Sequence, residues 1–446
     1  AGQVGMDTKR PGGSDRRVVI TGMGIVCPLG HDVGQVWRAV LAGTSGADWI
    51  RIFDASTYPT RFDAEVKGFD IRRFVSQAGF HLKGNRGCQF AVAAAAQACR
   101  QAGIEIETSR PDDGIDRRRL GIYLGSGEGS VDNETFFDAI ARSWDQQTAR
   151  MDWTRWAKIA LRSQDPIHTR EQEPHMPSWH IAVLTGARGP ARTCLTACAA
   201  STQAVGEAMM LIRSGKVDAM ISGGCHSMIH PMGVMGFNRL TALSTRNDDP
   251  KTASRPFSAS RDGFVIGEGA AILVLESLDC ALRRGARPLA EIAGYGNSAD
   301  AFRVTDMHEQ GRGPVQAMQA ALQDAGLSPD QIDYINAHGT GTIENDQIET
   351  LAIKTVFGQR RVPVSSVKGC MGHLIGAAGA AEIVCCVMAL QDQVIPPTAN
   401  LHDQDPRLDL DYVPLRPRPA RLINIMKESF GFGGQNNVVI IRRYPS

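Results

Sequence analysis

The chain has 446 residues, and its 48 Lys and Arg against 47 Asp and Glu give a formal net charge of +1. Hydrophobic residues make up 43% and charged residues 21%, ordinary values for a folded protein with ample material for a large core. That balance removes any global case for nucleic acid or an anionic membrane surface as partner, while an acidic protein can still dock on a local basic patch.

Residues 1–16 are polar, Gly-rich and basic, and read as a disordered lead or tag. A first strand follows over Arg17 to Gly22. The apolar run that contains it, Val18 to Leu29, is broken by Gly22, Gly24 and Pro28, which suits a buried strand and turn better than a signal segment. Leu120 to Gly125 reads as a second strand, Val217 to Ile221 as a third and Ala271 to Leu275 as a fourth. Each is short, apolar and bounded by Gly or charge, as in strands buried on both faces. Between the second and third, residues 131–180 hold four of the six tryptophans, Trp144, Trp153, Trp156 and Trp179. Phe136, Ile140 and Trp144 have i, i+4 spacing and predict a helix. Pro166, Pro174 and Pro177 then break the pattern. This stretch reads as a helical insertion that caps a site or packs on a second subunit, with a plain surface subdomain as the alternative.

The second half repeats the style. Strands are predicted at Leu289–Gly294, Ile332–Ala337, Val362–Val367, Ile423–Ile425 and Val438–Ile441. A small-residue helix, Ala199 to Ser214, follows Cys198, and another, Leu374 to Leu390, follows His373. This echo predicts two related α/β halves, 17–275 and 276–446, folded as one unit with no linker between them. The most apolar helical run, Ile383 to Leu390, falls far short of the roughly 20 residues a bilayer span needs.

Four segments carry chemistry. Cys198 lies in Thr196-Ala197-Cys198-Ala199-Ala200-Ser201 at a predicted helix start, where free N–H groups and the macrodipole favour a thiolate. Its small neighbours leave room for a bulky substrate. A buried structural cysteine is the alternative. His338 opens His338-Gly339-Thr340-Gly341-Thr342 at the carboxyl end of a strand, where open α/β sheets bind ligands; a capping His is the alternative. His373 closes Lys368-Gly369-Cys370-Met371-Gly372-His373, in which Lys368 can hold a carboxylate such as Glu349 or Asp346, catalytically or as a plain salt bridge. Phe430-Gly431-Phe432-Gly433-Gly434 can offer backbone N–H groups to an oxyanion and an aromatic gate to an apolar channel, or simply turn between core strands.

Other patterns carry less. Gly22-Met23-Gly24 lacks the third Gly of a dinucleotide fingerprint, and Gly125-Ser126-Gly127-Glu128-Gly129 has no phosphate-loop lysine. His226 and His230 are four apart without a third ligand, so no metal is expected. The ten cysteines are scattered with no CxxC pair, a pattern of reduced thiols in a cytoplasm.

One Cys and two His in this order and context resemble the β-ketoacyl-[acyl-carrier-protein] synthase family, above all its chain-elongating type II enzymes. The resemblance spans nearly all of residues 17–446. It rests on Val18 through Gly24, Thr196-Ala197-Cys198, Ala242-Leu243-Ser244-Thr245-Arg246-Asn247, Arg261-Asp262-Gly263-Phe264, His338 through Thr342, Lys368 through His373, and Gly431-Phe432-Gly433-Gly434. It implies a thiolase-like fold of two pseudo-duplicated halves in alternating α-β-α-β-α layers, and a homodimer. It implies a decarboxylative condensation of malonyl and acyl thioesters borne on the phosphopantetheine of acyl carrier protein, with no other cofactor. By resemblance Cys198 is the acyl nucleophile, and His338 and His373 promote decarboxylation. Lys368 orders the site with Glu349 as partner and Asp346 in support. The amides of Cys198 and Phe432 form an oxyanion hole. Thr340, Thr342, Phe237, Phe432 and Gly433 bind substrate. Acyl carrier protein is acidic in this family, so Lys83, Arg86 and Arg239 are candidates for a basic rim. Three features depart from the family pattern: His226 stands where an acidic residue is common, residues 131–180 match poorly, and Gln435-Asn436 ends the Gly-rich loop differently. A CoA-dependent thiolase would need a second catalytic Cys near the C-terminus, whereas the last is Cys386. A non-catalytic chain-length partner would lack Cys198.

Overall fold

The computed structural model describes residues 16–127 and 132–445. The lead at 1–15 lies outside them, while Arg16 pairs with Asp218 at 3.2 Å.

Ten strands form the large sheet. The first five are β1 (Val18–Val26), β2 (Leu120–Ser126), β3 (Ala191–Cys194), β4 (Ala219–His226) and β5 (Gly269–Ser277). The second five are β6 (Ala290–Ala299), β7 (Tyr334–Asn336), β8 (Val364–Ser365), β9 (Asn424–Gly431) and β10 (Gln435–Arg443). Outward from the centre, one half runs β1-β5-β4-β2-β3 and the other β6-β10-β9-β7-β8. In each half the two inner pairings are antiparallel and the two outer ones parallel. A short antiparallel contact, Val19 with Glu291 and Ile20 with Ala290, joins the halves.

Side-chain alternation along these strands builds the layers. In β5, Leu273 and Leu275 enter a central core, whereas Ile272 and Val274 enter an outer one. In β10, Val439 and Ile441 face the centre, and Val438 and Ile440 face the other outer core. The central core holds two helices, α6 (Ala200–Arg213) and α10 (Ala378–Asp392). The outer cores hold α1 (Arg86–Ala102) and α8 (Arg312–Ala325). The result is five layers, α-β-α-β-α. Burial on both faces explains why the strands read as continuous apolar runs.

Two Gly-x-Gly pairs make the outer packing close. A Cβ on Gly22 or Gly24 would lie 2.0 or 2.1 Å from the carbonyl oxygens of Ala98 and Ala94 in α1. Gly294 and Gly296 of β6 stand in the same relation to Ala321 and Ala317 of α8, at 2.5 and 2.2 Å. Gly22-Met23-Gly24 is therefore a packing device.

Several boundaries differ from the sequence reading. The third strand runs through Gly223 and Gly224 to His226 because both glycines lie inside the ladder. Of the stretch 131–180, the described residues from 132 onward form α2 (Asn133–Ser143), α3 (Trp153–Ser163), α4 (Pro166–Glu171) and the start of α5 (Met176–Thr185). Trp144 falls just past α2. Pro166 and Pro177 start helices instead of breaking them, since the first turn needs no N–H there. The second small-residue helix begins at Ala378, and the continuous helical run Ile375–Asp392 is 18 residues long, with 83% of it buried inside the protein. It is a core helix. All ten cysteines are free.

Candidate active site

Cys198 occupies a tight turn, Ala197–Ala199, between β3 and α6. Ala197 has φ +48°, a left-handed conformation that L-residues adopt at a cost. The second half repeats this turn at Ile375–Ala377 before α10, with Ile375 at φ +47°. The counterpart of Cys198 is thus Gly376, not His373: the duplication copies the scaffold, and the thiol belongs to one half only.

His338 follows the C-terminal end of β7. His373 follows the short helix Lys368–Met371, and its N–H bonds to Val265 O at 2.8 Å. The Cys198 sulfur and one ring nitrogen of each His lie within 4.8 Å of one another, and all three residues are buried. The two imidazoles meet edge to face at 5.4 Å, and Phe264 packs edge-on against His373 at 5.1 Å. Such a trio has the donor types to hold a metal, but the Lys368 ammonium, 3.4 Å from His338 Nδ1, opposes a cation there.

The ring nitrogens are assigned by their partners. The Ile375 amide donates to His373 Nδ1 at 3.2 Å, and Lys368 Nζ donates toward His338 Nδ1. In the neutral rings the proton then resides on Nε2. His373 Nε2 has no hydrogen-bond partner among the described residues. Burial, and then the Lys368 charge, holds both imidazoles well below the usual value, so both are neutral.

The thiol behaves differently from the helix-start expectation. Burial pushes Cys198 up to about 11, and the Lys368 charge and the N–H groups of Phe432 and Cys198 only partly oppose this. A dry setting outweighs the partial charge of a helix end. The two amides do converge on the sulfur. The β9–β10 hairpin that carries Phe432 lies against the Cys198 turn, so closely that a Cβ on Gly431 would sit 3.4 Å from Cys198 N.

The trio opens onto a cavity of about 230 Å³, also lined by Thr340, Thr342, Phe264, Phe430, Phe432, Met307 and Gly434. Thr340 and Thr342 hydroxyls face each other at 3.0 Å. Phe237 stacks edge-on against Phe264 at 5.4 Å, in the apolar cluster that contains Cys198. Gly433 does not line the cavity; its N–H ties the hairpin to Val304 O at 2.6 Å.

The Lys368 partner is a correction. Its ammonium pairs with Glu382 of α10 and donates to His338 O at 2.5 Å. Glu349 instead accepts the backbone N–H groups of His338 and Gly339, at 2.6 and 2.8 Å, and so shapes the histidine loop. Asp346 accepts from the Phe257 and Gly341 amides and faces Arg261 at 3.5 Å. Arg86 pairs with buried Glu268 at 2.6 Å and bonds Val66 O, with 41% of its side chain still exposed. Lys83 and Arg239 are exposed.

Sequence reasoning missed Glu382, Lys427 and Glu428. Lys427 Nζ pairs with Glu382 Oε2 at 2.7 Å, and Glu428 hydrogen-bonds Glu349. Charged residues inside apolar runs, Lys427-Glu428 after Ile425-Met426 and Glu382 before Ile383-Val384, were the available signal.

The layered fold with a Cys-His-His cavity defines a thiolase-like condensing enzyme. Residues 15–281 match the N-terminal domain of β-ketoacyl synthase and residues 289–402 its C-terminal domain, so the chain belongs to the β-ketoacyl synthase family. It is 40% identical to 3-oxoacyl-[acyl-carrier-protein] synthase 2 of Coxiella burnetii, over 96% of this chain and 99% of that one. It is 38% identical to the enzyme of the same name in Staphylococcus aureus, over 97% and 99%. Among solved structures, a β-ketoacyl synthase from Burkholderia phymatum superposes with a TM-score of 0.85 at 33% identity, over 96% of this chain and all of that one. A ketosynthase bound to a hexaketide, in complex with its type II acyl-carrier protein, superposes at 0.84 with 31% identity and the same coverage. The chain is an acyltransferase that condenses acyl units in fatty acid or polyketide synthesis.

Proposed function

We propose that Cys198 accepts an acyl chain from the phosphopantetheine thiol of an acyl carrier protein, and that His338 and His373 then drive decarboxylation of malonyl-carrier for the condensation. The observation that carries this reading is the meeting of two buried imidazoles, each with a donor against its Nδ1, beside the thiol.

In the first half-reaction the sulfur attacks the carrier thioester, the carrier thiol leaves, and the Cys198 proton goes with it. The tetrahedral oxyanion rests on the amides of Cys198 and Phe432. In the second, malonyl-carrier loses CO2 and its C–C electrons form an enolate. Nε2–H donors stabilise the enolate oxygen without giving up their protons, because neutral imidazole is a poor acid. The enolate carbon bonds to the acyl carbon, and the Cys198 thiolate departs and regains a proton from solvent. Thr340 and Thr342 hydroxyls suit the amides of a pantetheine arm, and the Phe237, Phe264 and Phe432 rings suit an acyl chain.

The test is intact-protein mass after incubation with acyl-carrier, together with CO2 release from malonyl-carrier. Wild type gains the acyl mass and Cys198→Ala does not. His338→Ala and His373→Ala each lower CO2 release by about 100-fold while acylation falls far less. Equal loss in both half-reactions sinks the division of roles, and an unacylated wild type sinks the reading.

We also infer one folded unit of two halves, 17–275 and 276–446, with 131–180 inserted in the first; the repeated strand order supports it. A homodimer in a reducing cytoplasm, serving carrier protein through exposed Lys83 and Arg239, completes the reading.

A further inference from the structure

Among the described residues two lysines are buried, Lys368 and Lys427, and only Lys368 touches His338. Lys427 is fully buried in β9, on the face turned toward the central helices. Glu382 Oε1 meets the Lys368 ammonium and Oε2 meets Lys427 Nζ at 2.7 Å, so a single carboxylate bridges two lysines. Thr202 of α6, at 3.2 Å, and Ser429 complete the surroundings of Lys427. Lys368 in turn reaches the Nδ1 and the carbonyl of His338. A chain of four side chains thus runs from Lys427 to the imidazole that faces the reacting atoms.

Burial lowers the value of the Lys427 ammonium and the Glu382 charge opposes that; with both lysines protonated, the Lys368–Glu382–Lys427 cluster carries a surplus of one positive charge in a dry interior, where charge acts strongly. Such a surplus favours the negative charge of an enolate over its uncharged surroundings and disfavours a second cation on either ring. A lone Lys368–Glu382 pair would be neutral and would leave Glu382 Oε2 facing no cation.

We propose that Lys427 is a positioning residue for malonyl decarboxylation: through Glu382 it holds Lys368 against His338 Nδ1 and supplies the surplus positive charge of the site. The proposal rests on the decarboxylating role assigned above to the two histidines. The groups facing Lys427 are Glu382 and Cys386 from α10, Thr202 from α6, Lys368 from its own turn, Ser429 on β9 and, through the strand, Glu428; Glu349 stands behind the His338 loop and is the same in every variant. Those facing the imidazoles are Lys368, Lys427, Cys198 and, at His373, also His226.

The experiment measures CO2 release from malonyl-carrier and acylation of Cys198 from acyl-carrier, each as a function of pH. Lys427→Met removes the surplus; Lys427→Gln is the second variant, should the first fail to fold. Either lowers decarboxylation by about 30-fold, leaves acylation within about 3-fold, and moves the acid limb of the decarboxylation profile to higher pH, since the imidazoles protonate more easily. Adding Glu382→Gln to the Lys427 variant leaves Lys368 as a lone cation and restores the net charge. The double variant therefore moves the limb back, while its rate stays low because nothing holds Lys368 against His338. Decarboxylation within about 3-fold of wild type in the single variant overturns the proposal. So does an equal loss in both half-reactions with the limb unmoved, and so does a double variant whose limb stays where the single variant put it. A wild type that releases no CO2 fails the reading beneath it instead.

Discussion

At the residue scale, Glu349 and Glu428 set a problem of their own. Both are buried, and they face each other behind the His338 loop. Burial pushes Glu428 well above the usual carboxyl value, and the charge of Glu349 pushes it further. Glu349 rises less, to about 7, because the Gly339 and His338 amides and a hydrogen bond from Glu428 favour its charged form. The pair thus holds a proton more tightly than a free carboxyl does, and burial and the Glu349 charge make Glu428 its stronger holder. A carboxyl with a raised folded value contributes stability that is whole below its ordinary value and declines as pH rises toward the folded one. The decline approaches about 1.4 kcal/mol per pH unit for one group. Glu428→Gln keeps a donor toward Glu349 and cannot ionise. Its melting temperature, followed by calorimetry from about pH 5 to 9, should fall less than that of wild type, by about 1 °C for each kcal/mol in a chain this long. Parallel curves would refute the shared proton. Cys198, His338, His373 and the Phe432 loop were legible in the sequence because each is announced by glycine or a small residue, at a strand end or, for His373, just past the short helix Lys368–Met371. The carboxylates were not, because partnership across the fold has no spacing rule: Glu382 is near Lys368 in sequence, yet nothing in the pattern ranks it above Glu349.

At the scale of elements, alternation in β9 explains both buried ion systems at once. Ile425, Lys427 and Ser429 turn to the central helices, while Met426, Glu428 and Phe430 turn to the outer core. One strand thus delivers a cation to Glu382 and an acid to Glu349, then bends at Gly431 into the hairpin over Cys198. Gly431 is where that hairpin touches the nucleophile turn. A Cβ there would stand 2.9 Å from Thr196 O and 3.2 Å from Ala199 N. Gly431→Ala should push the hairpin away and move the Phe432 N–H off the sulfur. Loss of one oxyanion donor costs about 100-fold or more, so a partial displacement should slow acylation of Cys198 by at least about 10-fold with the fold intact. Unchanged acylation in a correctly folded variant would detach Phe432 from that role. The strand containing Gly431 was predicted only at Ile423–Ile425, since its charged residues interrupt the apolar pattern that marks a buried strand.

At the scale of the molecule, the internal echo was visible in sequence as two small-residue helices after reactive segments. Its register was not, because Cys198 aligns in space with Gly376 and only backbone geometry preserves that match. The two outer edges of the sheet complete the comparison. At one end β8 is buried, and its Val364 N–H is taken by Asp411 O at 2.8 Å. At the other end β3 is half exposed, hydrogen-bonded on its inner side to β2 and open on the other among the described residues. Beside it Val183 and Trp179 on α5 and Leu195 after β3 are exposed. An open strand rimmed by apolar side chains is an aggregation hazard unless something covers it, and a two-fold copy can do so by laying its own β3 antiparallel. The Cys198 turn begins three residues past the end of β3, so such pairing would brace the nucleophile from behind. Val183→Asp combined with Leu195→Asp places two carboxylates per chain on that face, where desolvation and mutual repulsion oppose pairing. Sedimentation should show wild type as a dimer and the double variant shifted to monomer, with acylation of Cys198 lowered by about 10-fold as the turn loosens. A wild type that sediments as a monomer, or a double variant that remains dimeric, would remove β3 as the pairing edge.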